Sequence, residues 1–206
     1  PPRASGGAGR SHRGCGARVP GAPAEGAASA PRRAAPGATR NGPDAQWARW
    51  RGPLDTGVAP RADPPVTWSE SENVRFKTEL PGVGYGTPVV WGDRVFLTAA
   101  VPVGPLLDPV PDDAPGAHDN AVVRRRHEFI AFAVDRSTGE IAWRTKLHEQ
   151  VPHDVFHRSG ALAAASAATD GEHVIAFFGS YGLFCLDPDG ELQWGTDLGD
   201  MEVKHG

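Results

Sequence analysis

Apolar and polar positions alternate in short blocks along most of this chain, and one block sets the pattern for the rest. Between Ala133 and Trp143 an apolar pair, Ala133-Val134, gives way to the polar run Asp135-Arg136-Ser137-Thr138-Gly139-Glu140 and then to Ile141-Ala142-Trp143. Two apolar runs flanking Asp and Gly predict two strands joined by a tight corner, because Asp and Gly bend the chain without steric cost. The pattern returns at Leu183-Phe184-Cys185-Leu186, passes through the turn Asp187-Pro188-Asp189-Gly190-Glu191, one residue shorter, and closes on Leu192-Gln193-Trp194.

The repeat extends beyond the hairpins. Phe76-Lys77-Thr78-Glu79-Leu80, Trp143-Arg144-Thr145-Lys146-Leu147 and Trp194-Gly195-Thr196-Asp197-Leu198 are three copies of aromatic-x-Thr-x-Leu, which predict three equivalent strands. Upstream, Pro88 to Leu97 and Ala168 to Phe177 each carry a turn pair between two strands, Gly92-Asp93 and Asp170-Gly171. Each unit then holds four short strands, and self-similarity at roughly 40 to 50 residues marks the blades of a propeller. The fold class expected is therefore all-β, a partial β-propeller of four-stranded antiparallel blades. Trp143 and Trp194 stand 51 residues apart, whereas Phe76 and Trp143 stand 67 apart. The excess falls in Val101 to Arg126, whose prolines and glycines suit an inserted loop and not a sheet interior.

Charge divides the 206 residues unevenly. The total is −4, but residues 1–45 carry seven Arg against Glu25 and Asp44, a net of +5, which leaves −9 on the remainder. An acidic globular part argues against a nucleic-acid partner, which needs clustered cations. No apolar run is long enough to span a bilayer, so no transmembrane segment is expected. Residues 1–45, mostly Ala, Gly, Pro and Arg, cannot bury enough surface to offset ordering and predict a disordered tail, either a linker behind a removed signal or a spurious upstream extension. Residues 46–73, with Trp47, Trp50 and Trp68 among Pro and Gly, predict an extended strap packed over the propeller. Residues 74–206 supply two clear blades and the isolated strand Arg75 to Leu80. Their last residues read like the connection into a further blade, so the expectation is an incomplete propeller whose open edges lead it to self-associate or to remain only marginally folded.

The motif Ala-x-Asp-x-x-Thr-Gly-Glu-x-x-Trp at Ala133 to Trp143 resembles the tryptophan-docking motif of the quinoprotein-type, or pyrroloquinoline-quinone-binding-like, β-propellers. Trp50 to Gly57, Trp68 to Val74 and Pro81 to Gly84 also resemble the opening segment of a bacterial branch of these proteins, and the likeness covers about residues 46 to 206. It implies that the Trp of one blade packs on the next. The docking residues would be Asp135, Thr138, Gly139 and Trp143, with Asp187, Gly190 and Trp194 as the second set. The superfamily includes quinoprotein alcohol dehydrogenases and the non-enzymatic propeller of outer-membrane protein assembly factor B. The function expected is a binding or scaffold module, with possible protein partners at its loops and, by resemblance, export to the periplasm. One alternative is a fragment of a quinone-dependent alcohol or sugar dehydrogenase; another is a propeller sensor domain of a larger protein. Pyrroloquinoline quinone and calcium belong to the dehydrogenase alternative alone, and no cofactor is otherwise expected. The enzymes share a vicinal Cys pair, and this chain has no adjacent cysteines: Cys15 lies in the tail, and Cys185 in an apolar strand reads as a buried free thiol.

No residue acquires a catalytic, cofactor or metal role from its spacing. His148 and His153 are five apart with Pro152 between them, which a two-His zinc helix does not allow. His153 and His157 are four apart, compatible with a metal pair on a short turn, against the plainer reading of polar residues in a loop crossing between blades. Loops on one propeller face commonly form the binding surface, which makes His153, His157 and Arg158 the candidate binding loop. Asp187 to Gly190 lacks the further oxygen ligands of a calcium loop. Gly82-Val83-Gly84-Tyr85-Gly86 precedes a strand instead of opening a phosphate-binding helix.

Overall fold

The computed structural model describes residues 46–59, 62–113, 116 and 118–201; the expected tail, residues 1–45, lies outside them. The chain forms β1 (Val89–Trp91), β2 (Arg94–Val103), β3 (Asn120–Ala121), β4 (Arg126–Asp135), β5 (Ile141–Gln150), β6 (Phe156–His157), β7 (Ala168–Thr169), β8 (Val174–Phe177), β9 (Leu183–Leu186) and β10 (Leu192–Thr196). Two antiparallel four-stranded sheets result, ordered β1-β2-β4-β5 and β7-β8-β9-β10, with β3 and β6 paired separately as a two-stranded ribbon. The architecture is all-β, a partial propeller of two blades. No helix among the described residues is long and apolar enough to cross a membrane.

The strongest strand, β4, is buried from Phe129 to Val134 without a break. Both of its faces are covered, which explains a continuous apolar run where a half-solvated strand would alternate. Phe129, Ala131 and Ala133 face the second blade and join Val174, Ala176, Phe178 and Phe184 in the larger core. Phe129 stacks on Tyr181 at 4.3 Å between ring centres. Ile130, Phe132 and Val134 form a smaller cluster with Ala99.

Local turn chemistry appears where the sequence placed it. Asp135 Oδ1 accepts hydrogen bonds from the Ser137 and Thr138 amides, and Asp187 Oδ1 from those of Asp189 and Glu191. Gly139 and Gly190, the glycines of those two corners, have φ of +80° and +88°, which side chains rarely adopt. The Trp143 ring lies so close to Gly190 that a Cβ there would fall 2.5 Å from it. Its indole N–H donates to the Pro188 carbonyl at 2.9 Å, and the Thr145 hydroxyl donates to the Gly190 carbonyl at 2.7 Å. Phe76 and Thr78 repeat this on the first blade: Phe76 sits over Gly139, and the Thr78 hydroxyl donates to the Gly139 carbonyl at 2.6 Å. Trp194, the third aromatic, is 44% exposed, and the Thr196 hydroxyl turns to the Asp197 carbonyl at 3.4 Å.

Two expected boundaries shift. Arg75 to Leu80 forms no strand ladder, since no neighbouring strand pairs with it among the described residues; Phe76 and Thr78 hold it by side chains. β2 runs on through Val101 to Val103, with Pro102 opposite His127, so the insertion is confined to residues 104–125. At residues 46–48 the strap lies along the inner strands of both blades: the Trp47 carbonyl accepts from the Val90 amide and the Ala48 carbonyl from the Thr169 amide. Gln46 is buried and accepts from the Gly92 amide. Beyond these residues, Trp50 and Trp68 are exposed.

Trp143→Ala is expected to cost about 3 kcal/mol, the low end for a large aromatic because the ring is only partly buried. Gly190→Ala should cost more than about 2 kcal/mol alone, but only the backbone cost of about 1 kcal/mol once Trp143 is already Ala. Urea midpoints of the four proteins check this, and strictly additive costs would mean that ring and glycine do not meet in solution. The half-buried Asp135 carboxylate is held down to about 2, chiefly by the hydroxyl of Ser137 and then by the Ser137 and Thr138 amides. A depressed folded value stabilises above the unfolded value near 4 and is lost as pH falls towards about 2. Asp135→Asn should therefore melt below wild type at pH 7, with the gap closing between about pH 4 and 2. A gap that persists at acid pH would assign the effect to shape instead of charge.

Candidate functional site

Residues 104–125 connect the far ends of two ten-residue strands of the first blade, β2 and β4. This segment folds against its own end, with the Leu107 amide donating to the Arg124 carbonyl and the Val110 amide to that of Val123. The β3–β6 ribbon then ties it to the loop that crosses between the blades, pairing Asn120 with His157 and Ala121 with Phe156. The Arg158 amide donates to the Asp119 carbonyl at 2.9 Å, and Asp119 adopts a φ of +54° to present it. Asn120, 7% exposed, donates from its side chain to Asp112 at 2.8 Å.

The closure walls a cleft of about 530 Å³, within the range of small-ligand sites. Tyr85, Leu106, Val122 and Phe156 contribute apolar surface to it. Arg124, Arg125, His127 and Arg158 contribute its cationic and imidazole groups. His127 Nδ1 lies 3.0 Å from the Arg125 carbonyl; a carbonyl only accepts, so this nitrogen carries the proton. Burial outweighs that bond and lowers the His127 pKa, favouring neutral imidazole.

The expected binding loop is divided by its own bend. Arg158 enters the large cleft, and His157 lies beside the insertion, its Nδ1 2.7 Å from the Ser159 hydroxyl. His157 also meets His118 edge-on at 5.7 Å, and one ligand atom each of His118, Asp119 and His157 lie within 4.8 Å of one another. His153 instead faces the second blade, 5.4 Å from the Tyr181 ring and 3.5 Å from the Asp200 carboxylate, in a separate cleft of about 300 Å³. The His153 and His157 pair contemplated from spacing is thus drawn to different neighbours. Of the docking residues, Asp135, Asp187, Gly139, Gly190 and Trp143 take the turn and packing positions described above. Thr138 caps its corner, its hydroxyl accepting from the Glu140 amide.

Arg124, Arg125 and Tyr85 were not singled out by sequence, although the run Arg124-Arg125-Arg126 in an acidic domain was a readable signal. Tyr85 carried none, because its place in the cleft depends on its amide donating to the Ala163 carbonyl of a distant loop. No protein-family model matches the chain, and the curated proteins compared with it give no match.

Removing the Asn120 side chain strands the Asp112 contact inside the insertion. Asn120→Ala should cost about 1 to 2 kcal/mol and speed amide exchange in β3 and β6 while β8 and β9 keep their protection. Unchanged exchange in the ribbon would show that the insertion is held by other contacts.

Proposed function

We propose that the chain is a quinoprotein-type β-propeller repeat protein, exported in a bacterium, that works as a binding or scaffold module through the loops of its blades. The observation that carries this reading is the cleft itself. An insertion and a blade crossing are tied together by the β3–β6 ribbon to build a concave surface on the long arms β2 and β4. The repeat motif supports it from the other side. Trp143 is engaged in packing on Gly190, so the repeated motif serves the scaffold and leaves binding to the loops.

The dehydrogenase alternative asks for quinone and calcium, and the described residues fit that pair poorly. Two imidazoles and one carboxylate at His118, Asp119 and His157 make a softer donor set than the oxygen cage calcium takes. Cys185 is a buried free thiol with no adjacent cysteine, and burial pushes its pKa up, away from the reactive thiolate.

Supplying the protein with pyrroloquinoline quinone and calcium, and following dye-linked oxidation of ethanol and glucose, separates the two readings. The expected result is dye reduction no faster than in a protein-free control. Turnover that disappears when quinone is withheld would replace the scaffold reading with the dehydrogenase one.

A further inference from the structure

We propose that the cleft bounded by Arg124, Arg125 and Arg158 binds an organic anion with an apolar body, a carboxylate or a phosphate monoester on an alkyl or aryl group. This rests on the reading of the loops as a binding surface and names the chemistry that surface takes.

Charge gives the first reason. Four arginines elsewhere have carboxylate partners, Arg94 with Asp135, Arg126 with Glu149, Arg144 with Glu128 and Arg49 with Asp55, and of the described arginines without one, Arg51, Arg75 and Arg136 stand outside the cleft. Arg124, Arg125 and Arg158 have none among the described residues, and no Asp or Glu lines the cleft. Three uncompensated guanidiniums on one concave surface repel one another, in a domain that otherwise carries net negative charge. An anion in the cleft removes that cost.

Anchoring gives the second. Arg124 Nε donates to the Leu107 carbonyl at 3.0 Å, Arg158 Nε donates to the Asn120 carbonyl at 3.3 Å, and Arg125 Nη1 donates to the Gly104 carbonyl. Neutral carbonyls hold each planar fork in position without cancelling its charge. The remaining N–H groups stay available for the paired hydrogen bonds that carboxylate and phosphate oxygens accept. Less side-chain freedom is then lost when a ligand arrives.

The apolar wall sets the other half of the ligand. Tyr85 is 56% exposed, Leu106 62% and Val122 70%, and all three border the same space as Phe156. A small hydrated anion would leave these groups in water, whereas an alkyl or aryl body covers them while its head reaches the arginines.

Isothermal titration of the full chain with sodium decanoate, decyl phosphate, inorganic phosphate and decyltrimethylammonium tests this. At least one of the two decyl anions should bind, more weakly as salt is raised, and the tighter of the two identifies the headgroup. The triple variant Arg124→Gln, Arg125→Gln, Arg158→Gln should bind at least about tenfold more weakly while melting like wild type. If it fails to fold, Arg158→Gln alone, at an exposed loop position, should weaken binding at least about threefold. Binding of the decyl cation as tightly as the anions, inorganic phosphate as tight as decyl phosphate, no binding of either anion, or unchanged affinity in a folded variant would each overturn the proposal. Quinone-dependent turnover would instead strike at the scaffold reading and leave these titrations to stand or fall separately.

Discussion

An aromatic ring laid over a glycine of the next turn is the contact on which the blade arrangement depends. The cores of the two blades meet through Phe129, Phe178, Phe184 and their neighbours, and such burial is strong but has no preferred direction. Direction comes from the polar partners of the ring. Trp143 reaches the Pro188 carbonyl and Thr145 reaches that of Gly190, so one strand is fixed to one corner at two points. Phe76 cannot donate a hydrogen bond, yet Thr78 makes the equivalent bond to Gly139. The hydroxyl is therefore the constant element of the dock, and the indole N–H an addition to it. Glycine is required twice over, by its positive φ and by the ring occupying the space of a side chain.

The same dock explains what could be read in advance. Strands and corners were legible because their causes are local: Asp135 and Asp187 cap the backbone within a few residues, and the flanking runs are apolar. Arg75 to Leu80 has the right residues for a strand but lacks a ladder, since a strand is defined by its neighbour and not by its own composition. Pro102 looked like the start of a loop, but its place at the far end of the β2–β4 ladder tolerates it. The candidate loop was legible only in part. His153 and His157 are near in sequence, but the chain turns between them, and each is claimed by a segment that its own spacing does not reveal. The cleft was less visible still, because Tyr85, Val122 and Phe156 are ordinary apolar residues until three separate segments converge.

The blades differ in a way that bears on the cleft. β2 and β4 are ten residues each, while β8 and β9 are four. At about 3.3 Å per residue the first pair is some 20 Å longer, and the added length carries the insertion. Arg124 and Arg125 thus directly precede a continuous ladder of paired strands, and Arg158 directly follows the β3–β6 ribbon. A site mounted on such an arm keeps its geometry better than one mounted on a free loop.

The strap has a consequence for how this protein is made. The Trp47 carbonyl finds its donor in the first blade, at Val90, but the adjoining Ala48 carbonyl waits for Thr169 in the second. At ribosomal speeds of about 5 to 20 residues per second, that second donor is synthesised on the order of ten seconds later. In the interval the strap can already lie along β1, offering an edge on which β7 is assembled as it emerges. Translation would then act as the clock of assembly, with each blade completed in the order in which the ribosome delivers it.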